Sequence, residues 1–234
     1  MLTIIDALLS PAEVSQFNQA LADGPWQEGK ISAGSQAAQV KNNQQLDDAS
    51  PIAHTLRGAL LHKLAAHPVF MSSALPNHIY PPKFNRYQQG AHYGLHVDSA
   101  IMPMPLDSHS AHSSGHMLRT DVSATVFLSD PNSYDGGELS IETQFGLQHI
   151  KLDAGSVILY PASSLHQVNP VTKGCRVASF FWIESLVRSH EQRATLFDLD
   201  QSIQALTLTL GNNNPEVKRL SGVYHNLMRC WARH

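Results

Sequence analysis

Between Lys83 and Glu184 the chain alternates short runs rich in Val, Ile, Thr, Tyr and Phe with clusters of Gly, Pro, Asn and Asp. No other feature restricts the fold as strongly. VSATVFLSD (122–130), GELSIET (137–143), QHIKL (148–152), SVILYP (156–161) and RVASFFWIE (176–184) predict strands, and DPNSYDGG and LDAGS predict the turns between them. Many short strands joined by tight turns close into a sandwich or barrel over their own core. The expectation is a mainly β protein.

Helical periodicity brackets this region. Ser10, Pro11 and Glu13 form a capping signal, followed by Val14, Phe17 and Leu21 at helical steps up to Gly24. Ser50 and Pro51 repeat the signal ahead of Ile52, Leu56, Leu60 and Leu64. Past Glu184, Leu196, Leu199, Ile203, Leu206 and Leu210 step by three and four to Gly211. Asn214 and Pro215 then start Val217, Leu220, Tyr224, Leu227 and Trp231. The two stripes predict a C-terminal helical hairpin packed on the barrel or on itself, with self-association of the hairpin as the alternative.

Composition excludes several partners. With 16 basic and 19 acidic residues and a net charge of −3, nothing attracts nucleic acid or an anionic membrane. The N-terminus lacks the basic start of a secretory signal, and no apolar run is long enough for a membrane span. Cys175 and Cys230 lie far apart without CxxC spacing, which predicts neither a disulfide framework nor a thiolate zinc site. A cytoplasmic location is expected.

The chemistry centres on YGLHVDSA, residues 93–100. In a strand, residues i and i+2 share a face, so His96 and Asp98 would project into one volume. A mononuclear iron(II) oxygenase site takes two histidines and one carboxylate on one face of the metal. His166, after the SVILYP strand, is the candidate third ligand. Arg176 opens a strongly apolar strand; a guanidinium there is costly unless it meets an anion, and its planar fork suits a carboxylate.

NRYQQGAHYGLHVDSA, SATVFLSDPNSYDGGELSI and GSVILYPASSLHQVNPVTKGCRVASFFWIES resemble the iron(II)- and 2-oxoglutarate-dependent oxygenases of the prolyl-4-hydroxylase-like group. More narrowly, they resemble the bacterial PKHD-type hydroxylases. The resemblance covers about 80–184 and extends into LFDLDQSIQAL of the tail. It implies a double-stranded β-helix (jelly-roll) core with N-terminal helices and a C-terminal helical hairpin. The corresponding division is an N-terminal region 1–79, a dioxygenase domain 80–184 and a helical region 185–234.

The same resemblance makes His96, Asp98 and His166 the Fe(2+) ligands and catalytic centre, and Arg176 the partner of the distal carboxylate of 2-oxoglutarate. It places Tyr87 near the co-substrate, with Tyr93 as a second candidate. Phe127 falls where some relatives use a tyrosine for that carboxylate. The implied activity hydroxylates a substrate with O2 while 2-oxoglutarate becomes succinate, with L-ascorbate as reductant. Peptidyl proline or lysine and an iron-uptake-related small molecule are both open as substrates. The competing readings are a cupin-type metalloenzyme, which uses three histidines and a glutamate, and a non-catalytic iron or 2-oxoglutarate sensor.

The remaining signals have plainer readings. His109, His112 and His116 lie in a polar stretch read as a lid or substrate-contact loop, with a second metal site as the alternative. The glycines of YDGGEL read as a turn and Glu138 as structural; Cys175 reads as a small core residue. His92 and His149 have no evident partner in the sequence.

Overall fold

The computed structural model describes residues 1–32, 37–105 and 117–233; the histidines at 109, 112 and 116 lie outside them. In chain order the N-terminal part contains β1 (Thr3–Ile5), α1 (Pro11–Ala22), β2 (Trp26–Glu28), β3 (Lys41–Asn42), β4 (Gln44–Leu46), α2 (Pro51–Ala66), α3 (Pro68–Ala74) and β5 (Pro76–Ile79). The middle contains β6 (Lys83–Tyr87), β7 (His92–His96), β8 (Ile101–Pro103), β9 (Met117–Arg119), β10 (Val122–Phe127), β11 (Asp135–Gly136) and β12 (Leu139–Thr143). There follow β13 (Gly146–Ile150), β14 (Val157–Pro161), β15 (His166–Val168), β16 (Val171–Lys173), β17 (Arg176–Ser185), α4 (His190–Leu210) and α5 (Pro215–Trp231).

Two sheets face each other as a jelly roll. The larger runs β1-β14-β10-β17-β6-β4-β2 with β5 on β17, and the smaller runs β13-β12-β15-β7-β3. The first 79 residues do more than supply helices, because β1, β2, β4 and β5 extend the larger sheet and β3 edges the smaller one.

Strand alternation divides the larger sheet into two buried faces. Val122, Ala124 and Val126 of β10, with Val157 and Leu159 of β14, pack outward against Val14, Phe17, Leu56, Leu60 and Leu64 of α1 and α2. Each such large side chain contributes about 1.5–3 kcal/mol by leaving water. Phe127, Ile158 and Tyr160 point the other way, toward Leu139, Ile141 and Val168 of the smaller sheet. Burial on both faces is why these strands read as nearly unbroken apolar runs.

The helix starts form as expected. Ser10 and Glu13 make a reciprocal capping box at α1, and Ser50 caps α2. On α2 the buried stripe is Ala53, Leu56, Leu60 and Leu64; Ile52 is only partly buried beside it. The C-terminal hairpin also forms, but its first helix starts six residues before Leu196, at His190 under a Ser189 cap. Its packing differs from expectation. Leu196 joins Leu75 and Val187 in a cluster covered by Tyr224, Leu227, Met228 and Trp231, whereas Leu206, Leu208 and Leu210 are 37%, 91% and 50% exposed. The hairpin outruns the surface beneath it. Among the described residues no helix is long and apolar enough to cross a membrane.

Candidate metal centre

The pairing of β7 with β15 sets His96 opposite His166. The strand ends at His96, so Asp98 lies just beyond it rather than within a strand as the sequence suggested. The alternation continues regardless: Leu95 and Val97 face outward at 54% and 47% exposure, while the His96, Asp98 and His166 side chains are 7%, 9% and 6% exposed. His96 Nε2 is 4.0 Å from Asp98 Oδ1, and His166 Nε2 is 3.8 Å from Asp98 Oδ2. One ligand atom from each of the three lies within 4.8 Å of the others. Among the described residues it is the one cluster of this kind, and it contains two histidines and one aspartate rather than the cupin set.

Hydrogen bonds aim these side chains. His96 Nδ1 is 2.8 Å from the Gly94 carbonyl and His166 Nδ1 is 3.0 Å from the Ser164 carbonyl. A carbonyl only accepts, so each Nδ1 carries the proton and each Nε2 presents a lone pair to the centre. Burial, reinforced by His166, lowers the pKa of His96 to about 4, which keeps that imidazole neutral near pH 7. Ser123 Oγ donates to Asp98 Oδ2 at 2.6 Å and so orients the carboxylate. The Tyr93 ring stacks on His96 at 3.7 Å and 19°, and Tyr160 meets His166 edge-on at 5.2 Å.

The cluster opens into a cleft shared by Tyr87, Tyr93, Ser123, Thr125, Tyr160 and Arg176. Arg176 is 1% exposed, and its Nε and Nη2 have no hydrogen-bond partner among the described residues. Its guanidinium carbon lies 5.2 Å from the Tyr87 ring and 5.3 Å from the Phe127 ring. Tyr87 therefore meets the arginine with its ring, while its hydroxyl accepts from Asn85 Nδ2 at 3.2 Å. Phe127, where a tyrosine contact was expected to be missing, supplies the second ring.

A hydroxyl is present nearby from another element, since the buried Tyr134 hydroxyl is also unpartnered among the described residues. Burial raises its pKa and the charge of Arg176 opposes that. Gly137 holds this corner open. It sits at φ +68°, and a Cβ there would come within 3.1 Å of Tyr134 Cε2 and 3.2 Å of Arg176 Cδ. The GGEL glycines thus serve a turn, as expected, and Gly137 also makes room for the arginine.

Several residues of the site carry no sequence signal on their own. Ser123 and Thr125 were legible as a strand, but their inward face follows only from the alternation of β10. Tyr134 and Tyr160 resemble ordinary core tyrosines. Lys41, from a polar stretch without pattern, lines the same cleft and is 3% exposed; burial, then Lys83, lowers its pKa to about 8.

Other readings are revised. His149 has a partner, Ser140 Oγ at 2.7 Å, and His92 lies 3.3 Å from the Gly90 carbonyl. Cys175 is half-buried rather than a core residue, because it precedes the inward turn of β17. Glu138 accepts from Asn169 Nδ2 at 3.1 Å, a structural tie.

Comparison with known proteins agrees with this geometry. Residues 82–184 match the 2OG-Fe(II) oxygenase superfamily, and residues 190–233 match the PKHD-type hydroxylase C-terminal domain. A PKHD-type hydroxylase of Pseudoalteromonas atlantica is 70% identical over 99% of both chains, and one of Teredinibacter turnerae is 54% identical over 100% of both. The crystal structure of a Pseudomonas putida prolyl-4-hydroxylase shares the fold, with TM-score 0.51 at 17% identity over 79% of this chain and 92% of that one.

Proposed function

Because the chain belongs to the PKHD-type hydroxylase family and is a 2-oxoglutarate-dependent dioxygenase, we propose that His96, Asp98 and His166 hold its iron(II) and that Arg176 receives the distal carboxylate of 2-oxoglutarate. The observation that carries this reading is a three-ligand cluster in the same cleft as a buried guanidinium with two unpartnered nitrogens. Donor chemistry fits the metal: two neutral imidazole nitrogens and one carboxylate would suit iron(II). The anion site fits too, since a buried guanidinium with two nitrogens unpartnered among the described residues calls for a charged acceptor.

When bound, iron(II) with 2-oxoglutarate supplies the activation of O2. One oxygen atom enters a C–H bond of the substrate, the other enters succinate, and carbon dioxide leaves. The chain's own residues provide the geometry. Gly94 and Ser164 carbonyls fix the imidazole tautomers, and Ser123 fixes the carboxylate. Tyr93, Tyr160 and Tyr87 wall the cleft with rings that limit water around the reacting centre, and Phe127 backs the Arg176 guanidinium. Tyr134 stands beside Arg176 as a second donor for the co-substrate.

The substrate reading stays at a peptidyl proline or lysine, or a small molecule of iron uptake, with ascorbate as a supporting reductant. The segments 1–79, 80–184 and 185–234 are proposed as the working division. Self-association through the hairpin tip is supported by exposed Leu206, Leu208 and Leu210, and light scattering on Leu208→Glu tests it by loss of the larger species. For the central reading, iron(II) and then 2-oxoglutarate are added without air. A visible charge-transfer band is expected, followed by succinate release once air is admitted. No band refutes the site assignment; a band without succinate marks a binding protein instead.

A further inference from the structure

Unpartnered polar atoms gather at one end of the cleft. Among the described residues, eight buried side-chain nitrogen and oxygen atoms have no hydrogen-bond partner; Arg176 and Asn43 each hold two of them, and Tyr134 and Asn85 one each. Arg176 and Tyr134 offer donors that suit a carboxylate. The two asparagines are left to explain. Asn85 is 7% exposed and Asn43 6%, and they flank one hydroxyl. Asn85 Nδ2 donates to Tyr87 Oη at 3.2 Å. Burial raises the Tyr87 pKa, and the charge of Arg176 and then the Asn43 amide oppose that rise, which puts Asn43 beside the same oxygen.

Strand register places Asn85 between the two ends of the cleft. On β6 and β17, Tyr87 pairs with Arg176 and Asn85 with Ala178. Farther along β17, Trp182 pairs with Ser123 of β10, whose hydroxyl holds Asp98. The inward row of Asn85 thus lies about 7 Å of strand from that of Arg176, on the side of the metal cluster, and Asn85 lines the cleft there. Ala178 beside it offers only a methyl group. A co-substrate held by Arg176 at one end and by the metal at the other passes this amide.

Resting on the function proposed above, we infer that Asn85 is a co-substrate-binding residue whose amide turns over when 2-oxoglutarate enters. Its Nδ2 then donates to an oxygen of the dianion, while Tyr87, a positioning residue, donates to its Oδ1. The reason is chemical. At neutral pH 2-oxoglutarate carries two carboxylates and a keto oxygen, all of which only accept. As it stands, Asn85 commits Nδ2 to Tyr87 and leaves Oδ1 without a donor. Half a turn about the last side-chain bond exchanges the two ends of the amide without moving the backbone. The Tyr87 proton then satisfies Oδ1, Nδ2 is released toward the cleft, and Asn43 Nδ2 takes its place on Tyr87 Oη. A buried hydrogen bond to a charged acceptor is stronger than the neutral one it replaces.

For the test, protein loaded with iron(II) without air is titrated with 2-oxoglutarate, and the charge-transfer band gives the affinity. Asn85→Leu should weaken it about 10- to 100-fold, the size of one hydrogen bond to a charged group. Asn85→Asp, nearly isosteric, should weaken it at least as much at about pH 8, where the carboxyl is ionised and turns a negative acceptor toward the dianion. Affinity in that variant should recover as the pH falls and the carboxyl gains a proton. Tyr87→Phe should weaken binding less than Asn85→Leu, about two- to tenfold, and add almost nothing in the Asn85→Leu background. The iron(II) affinity of Asn85→Leu, from competition with a chelator, should stay within about twofold of wild type. Unchanged 2-oxoglutarate affinity in Asn85→Leu, or in Asn85→Asp should the leucine variant not fold, overturns the inference while the proposed function stands. So does a larger loss from Tyr87→Phe, which makes the hydroxyl the direct donor, or a parallel fall in iron(II) affinity, which marks a structural role. A wild type without a band defeats the proposed function, and this inference with it.

Discussion

Arg176 and Arg193 are both deeply buried, at 1% and 4% exposure, yet they sit in opposite circumstances. Arg193, at the root of the C-terminal hairpin, donates through Nη1 to the Val187 and Arg188 carbonyls at 2.8 and 2.9 Å and through Nη2 to the Asp121 carbonyl at 3.4 Å. Arg176, inside the barrel, leaves Nε and Nη2 without partners among the described residues. A buried cation whose donors are satisfied by the chain ties elements together; one whose donors are not is waiting for a ligand. Burial alone does not separate structure from function, whereas the accounting of hydrogen bonds does.

This contrast is sharpest under the same substitution at both sites. Arg176→Met should weaken 2-oxoglutarate binding about 30-fold or more, the equivalent of at least about 2 kcal/mol for a lost buried charge pair. Titration of the charge-transfer band measures it. The ligand-free stability of that variant should hold or rise, because an apolar side chain replaces an unpaired buried charge. Unchanged 2-oxoglutarate affinity would break the comparison.

Arg193→Met should do the reverse. Three carbonyls lose a donor, and a cost of about 2–4 kcal/mol is expected, seen as a fall in Tm of about 4–16 °C for a chain of this size. The affinity for 2-oxoglutarate should stay within a factor of about two. A destabilised Arg176→Met with an unaffected Arg193→Met would invert the assignment.

Between these extremes lies Ser123, which touches Asp98, a proposed ligand. Ser123→Ala removes the donor to Asp98 and should lower iron(II) affinity about 10- to 100-fold, measured by competition with a chelator, while Tm without metal changes little. The smallest effect belongs to an exposed charge. The pKa of Glu13 is lowered to about 2, chiefly by Lys63 and then by Ser10. A carboxyl with a depressed folded pKa contributes stability that is full above its ordinary 4.5 and is lost as pH falls from there through about 2. Glu13→Gln should flatten that part of the acid-unfolding curve and leave neutral pH almost unaffected.

Much of the site was legible because its signals are local. His96 and Asp98 alternate onto one face, and His166 and Arg176 each begin a strand, so strand periodicity and residue chemistry pointed to all four. Tyr87 and Tyr93 were also placed near the co-substrate, although their contacts are made by rings, with the Arg176 guanidinium and with His96. Ser123 and Lys41 were not legible as site residues, because each belongs to the cleft only through pairing with distant strands; Tyr134, just ahead of β11, comes beside Arg176 only when its turn folds back on that corner. The stripe from Leu196 to Leu210 was read correctly as a helix. How far it is covered depends on where the neighbouring surface ends, and no periodicity encodes that.

The sequence by itself determined the elements, their caps and the four side chains that chemistry singles out, since propensity, alternation and charge act over a few residues. Only the tertiary structure decided which hydrogen-bonding groups remain unsatisfied, and that distinction separates Arg176 from Arg193. The reason is physical: whether a buried donor finds an acceptor depends on backbone carbonyls brought up from elsewhere in the chain, and those positions exist only once the sheets have closed.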